Sequence, residues 1–124
     1  MKKDIHIEIP AVAENVMPLR LFFSGIATRL GMDINQIDDI KSAISESCVM
    51  LMAGASGGVL TFDAQGADGL LIECGIDGFN RTDFDCDACS MSRLIFEAMA
   101  DEAEFHETAG KITRITFRFG KAAQ

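Results

Sequence analysis

A chain of 124 residues, 48% hydrophobic and 24% charged, has the length for one domain with a real core and falls short of two. A net charge of -8 and the absence of Trp and Tyr argue against sequence-independent nucleic-acid binding, which needs clustered Lys and Arg and uses aromatic stacking surfaces. No apolar run approaches the ~18 residues of a membrane span, and the start Met1 to His6 leads into alternation rather than a signal-peptide core, so a single cytoplasmic domain over residues 1–124 is expected.

Asp4 to Pro10 alternates Ile5, Ile7 and Ile9 with His6 and Glu8, which predicts a half-buried strand closed by proline. From Val12 to Leu30 the spacing turns helical through Val16, Leu19, Phe23, Ile26, Ala27 and Leu30. Pro18 is tolerated only in a first turn, so the helix is predicted to begin near Val16 or Met17, with Gly31 as its stop. Asn35 to Gly54 repeats the pattern with Ile37, Ile40, Ile44, Cys48 and Leu51 on one stripe. At ~100° per residue, Asp39, Ser42, Ala43, Glu46 and Met50 fall on the opposite side. Glu46 and Met50 are then neighbours one turn apart.

Gly54 to Gly58 reads as a flexible turn. Val59–Ala64 points Leu60, Phe62 and Ala64 one way, and the nearly continuous apolar run Leu70–Ile76 predicts a central strand, joined to the first by a hairpin loop over residues 65–69. Residues 77–89 show no period and read as a long loop. Ser90 is expected to cap a helix with the stripe Met91, Leu94, Ile95, Ala98 and Met99. Ala103–Thr108 and Lys111–Phe119 form a last hairpin, with Ile115, Phe117 and Phe119 facing in and Arg114, Thr116 and Arg118 facing out. Too few βαβ units are present for a doubly wound sheet. The expectation is an α+β, two-layer α/β sandwich: a mixed, mostly antiparallel sheet of about five strands with three helices on one face.

Of the four cysteines, Cys48 and Cys74 sit inside periodic segments, so a secreted disulfide framework is not indicated. Cys86 and Cys89 form a C-x-x-C that is half a zinc site without an obvious second pair; Cys74 and His106 are distant in sequence. Two free thiols in a loop is the plainer reading, and a metal- or thiol-dependent sensor is kept as an alternative. Asp83, Asp85 and Asp87 alternate as in a calcium loop, but Ala88 stands where Gly is needed and Leu94 where a bidentate Glu is needed. His6 and His106 have no Ser or Cys nucleophile nearby, so a catalytic triad has no support.

The element order and the segments Ile9-Pro10, Leu19-Arg20, Gly31-Met32, Asp39 to Glu46 and Met99 to Glu102 resemble the RsbW-type anti-sigma factors, serine-protein kinases with the GHKL (histidine-kinase-like) ATPase fold. The resemblance implies that Glu46 occupies the place of the family's general base. It puts Met50 where an Asn helps to hold magnesium, and a thioether is a poor ligand for a hard cation. The family's adenine-reading D-x-G-x-G box falls on Cys74-Gly75-Ile76-Asp77-Gly78, where Cys74 replaces Asp, Ile76 replaces the first Gly and Gly78 is kept. The phosphate-cradling G-x-G falls on Ser90-Met91-Ser92, where each added Cβ crowds the backbone. Departures in the metal, base and phosphate parts of one site imply a kept fold with ATP binding weak or lost, and Met50 filling the cleft as a core residue. For Glu46 the alternative is a solvated face carboxylate. The implied function is a regulator acting by protein–protein binding, as a homodimer, on a sigma factor or an anti-anti-sigma-like protein, with no cofactor. The rival is a working serine-protein kinase using ATP and magnesium.

Overall fold

Alternation in β1 (Ile5–Pro10) sends Ile5, Ile7 and Ile9 toward the helices, and the pleat carries that choice across a whole sheet. The structure, a computed structural model, describes residues 5–66, 69–81, 87–108 and 111–120, and of residues 81 and 87–91 the backbone alone. After β1 and a 3₁₀ turn at Ala13–Asn15 come α1 (Val16–Arg29) and α2 (Ile34–Met52). They are followed by β2 (Ala55–Ser56), β3 (Val59–Gln65), β4 (Leu70–Asp77), β5 (Asn80–Arg81), α3 (Asp87–Met99), β6 (Glu102–Thr108) and β7 (Lys111–Phe119). Five strands form one sheet in the order β1-β3-β4-β7-β6, and β2 pairs with β5 in a separate ribbon.

β4 is the central strand, as its apolar run predicts. Every pair in the sheet is antiparallel, which corrects the expected mixed sheet. β3–β4 and β6–β7 are hairpins, and no strand–helix–strand crossover supplies a parallel neighbour. The register aligns Ile7, Phe62, Cys74, Ile115 and Phe105 in one row across all the strands. That row faces the helices and lies in the core. Three helices and this sheet make an α+β arrangement consistent with a two-layer sandwich.

α1 starts at Val16, which leaves Pro18 among the first-turn residues whose N–H has no helical partner to lose. It ends at Gly31 (φ 78°), where the Gly31 N–H reaches the Thr28 carbonyl at 3.0 Å and the Met32 N–H reaches Ala27 at 3.1 Å. That double bond pattern needs a left-handed residue, and glycine adopts it without strain.

α2 packs against α1, α3, β4 and β7. Ala43, Ser47 and Met50 are therefore buried along with Ile40, Ile44, Cys48 and Leu51. This corrects the placement of Ala43 and Met50 opposite the core stripe, while the burial of Met50 agrees with its reading as a core residue. A single-stripe reading assumes one packing partner, whereas a helix flanked by two others buries more of its circumference.

The stretch between β4 and α3 is not the structureless loop expected over 77–89. It contains β5, and α3 begins at Asp87, so Ser90 lies inside the helix and does not cap it. An acidic residue in a first turn suits the helix dipole, which favours the earlier start. Phe96 anchors α3, its ring edge-on to Phe117 at 4.7 Å and to Phe105 at 5.7 Å. Among the described residues no helix is long and apolar enough to cross a membrane.

Candidate functional site

The positions singled out in the sequence lie on α2, at the end of β4 and at the start of α3. Glu46 is half-buried on α2, and Met50, one turn on, is 2% exposed. Between them, Ser47 is fully buried and its hydroxyl donates to the Ala43 carbonyl at 2.8 Å. Cys74 is fully buried on β4, where its thiol feels Ser47 and Cys48 of α2. Ile76 is 3% exposed and Ser92 on α3 is equally buried. Ser90 lies in the helical backbone of α3 and its side chain falls outside the described residues.

Gly78 is exposed in the turn after β4, at φ 67° with open space where a Cβ would sit. The β2–β5 ribbon ties that turn to the end of α2 through Ala55 opposite Arg81 and Ser56 opposite Asn80. At Gly58 an added Cβ would fall 2.7 Å from the Asp77 carbonyl oxygen and 2.9 Å from the Phe79 Cβ. The backbone there packs directly on the turn. This contact was missed in the sequence, where the pair Gly57-Gly58 was its only signal.

Burial decides the chemistry of the two described thiols. Desolvation pushes the Cys48 thiol up to about 12. Cys74 is raised further by the same cause; the Ser47 hydrogen bond opposes the shift and neighbouring Cys48 adds to it. Burial thus favours the protonated thiol at both residues, which makes them poor nucleophiles. Toward a magnesium nucleotide this donor set fits poorly. At the places that the resemblance assigns, Met50 would offer sulfur to a cation that takes oxygen, and Cys74 a thiol where the related motif has a carboxylate. Ile76 and Ser92 carry a Cβ into packed surroundings.

Among the described residues no group of His, Cys, Asp and Glu is arranged to hold a metal ion. Cys86, Asp83 and Asp85 lie outside the described residues, as do the side chains of Asp87 and Cys89. His106 is exposed, 3.5 Å from Glu104 across the strand pleat. A shallow depression of about 150 Å³ lies near the β6 edge, lined in part by Leu71, Glu102, Thr116 and Arg118. Those residues face away from the helices, so the depression is separate from the α2–β4 positions.

Over 51 residues, 41% of this chain, the sequence is 43% identical to the serine-protein kinases RsbW of Bacillus thuringiensis (strain Al Hakam), Bacillus cereus (strain B4264) and Bacillus anthracis (strain A0248). The matched stretch covers 32% of each of these relatives, so the chain spans about a third of their length. No protein-family model matches the chain. The match supports, at most, an RsbW-like relationship.

Proposed function

We propose that this protein is an anti-sigma-factor-like regulator that works by gripping a protein partner, with nucleotide binding weak or lost. The observation that carries the reading is Met50, 2% exposed on a helix packed from both sides, at the position where the resemblance expects an oxygen ligand for magnesium. Cys74, Ile76 and Ser92 add to it, since each fills with packed atoms a place where the related motif needs a charge or a bare backbone. Glu46, without a held phosphate beside it, has no proton to accept in a productive geometry.

The partner belongs to the class that the resemblance names, a sigma factor or an anti-anti-sigma-like protein, and the regulator acts as a homodimer in the cytoplasm. A second reading keeps the kinase: the partial relatives are named as serine-protein kinases, and Glu46 is present. Incubating the chain with an anti-anti-sigma-like protein and ATP labelled at the γ-phosphate separates the two. The proposed function predicts a complex that forms equally with and without ATP, and no label on the partner. Transfer of label to a partner serine establishes the kinase instead.

A further inference from the structure

The face of the sheet turned away from the helices carries a bridge that depends on one proton. His6 on β1 stands opposite Asp63 on β3, and its Nδ1 lies 2.6 Å from Asp63 Oδ1. Its Nε2 lies 2.8 Å from Oε2 of Glu8, two residues along the same strand. An ionised carboxylate only accepts hydrogen bonds, and a neutral imidazole has a single N–H. Making both bonds therefore requires one more proton than a neutral imidazole and two carboxylates contain, whether it sits on the ring or on a facing carboxyl.

The surroundings raise the cost of losing that proton. Asp63 is only 5% exposed, so water does little to solvate its carboxylate and the charge facing it from His6 counts for more. Glu73 on β4 stands opposite Asp63 in the same row and adds negative charge. The described cations of β7 on this face, Arg114 and Arg118, stand in the rows on either side of Glu73; the Arg114 guanidinium lies over Gly75 and Arg118 faces Glu102 at 3.7 Å. Among the described residues β1 is an edge strand, with β3 as its one strand neighbour.

We propose that β1 is a proton-locked edge strand: a proton shared by His6, Glu8 and Asp63 ties it to β3, and loss of that proton loosens it. The inference is independent of the proposed function. Hydrogen bonds donated by the ring to Glu8 and then to Asp63 favour the charged form and raise the His6 imidazole above its ordinary range. A group raised on folding stabilises fully below its unfolded value of about 6.5, and that contribution is lost as pH rises through the higher folded value. The Ala11 N–H, just past the strand, bonds the Gly58 carbonyl at 3.0 Å, so loosening would reach the glycine turn beneath the β2–β5 ribbon.

Amide hydrogen exchange on the full chain between about pH 5.5 and 8.5, read by NMR beside the His6 titration, tests this. Protection at Ile7 and Ile9, corrected for intrinsic exchange, is expected to fall with rising pH relative to β4, by at most about tenfold per pH unit for one proton. His6→Gln should flatten the profile, His106→Gln should keep it, and Asp63→Asn should bring the His6 titration down toward its ordinary range. A His6 titration at or below about 6.5, a flat wild-type profile, or a His6→Gln profile like the wild type would each overturn the proposal.

Discussion

Asp33 and Gln36 hold each other at the first turn of α2. The Gln36 N–H donates to Asp33 Oδ1 at 2.8 Å, and the Asp33 N–H donates to Gln36 Oε1 at 3.0 Å. This reciprocal box satisfies two backbone donors that the helix itself leaves without partners. Asp33→Ala should cost about 1 kcal/mol, measured as a lower urea midpoint with an unchanged slope. A midpoint equal to the wild type would mean that the cap adds nothing to the stability of α2.

That cap illustrates how far the sequence could be read. The spacing of Asp33 and Gln36 is a start signal that places the helix at Ile34, one residue before the expected Asn35. The five sheet strands, to within a residue at their ends, the α1 start at Val16 and the Gly31 stop follow from apolar patterning, proline tolerance and glycine freedom, all local causes. Burial of Ala43 and Met50 has a tertiary cause, the docking of α2 between α1 and α3, and no local period encodes it. The β2–β5 ribbon pairs only Ala55-Ser56 with Asn80-Arg81, too short for any alternation to register. Of the candidate site, only the resemblance located Cys74, Ile76 and Gly78. The bridge at His6 stayed hidden because it joins residues 57 positions apart in the chain.

The buried thiols should be silent in the folded protein. Alkylation at about pH 8, followed by peptide mass spectrometry, is expected to leave Cys48 and Cys74 unmodified until urea unfolds the chain. Modification of either residue at the rate of a free exposed thiol would contradict the packing of α2 on β4.

Restoring the related motif at a single position should not restore its chemistry. Met50→Asn removes a buried apolar side chain and brings an amide into a packed site, so it should destabilise by about 2–5 kcal/mol. Isothermal titration of the folded variant with magnesium and ATP is expected to give no binding heat, because Cys74 and Ile76 remain. Saturable binding by Met50→Asn would show that Met50 alone blocks the nucleotide.

The central claim is tested most directly by thermal melting of the full chain with and without millimolar magnesium-ATP. A nucleotide present at 100 times its dissociation constant adds about 2.7 kcal/mol to the native state and raises the midpoint by several degrees. The proposed function predicts coincident curves, since Met50, Cys74, Ile76 and Ser92 are buried at the positions that the resemblance assigns to nucleotide binding. A midpoint that climbs with ATP concentration and falls back when the magnesium is chelated would contradict it.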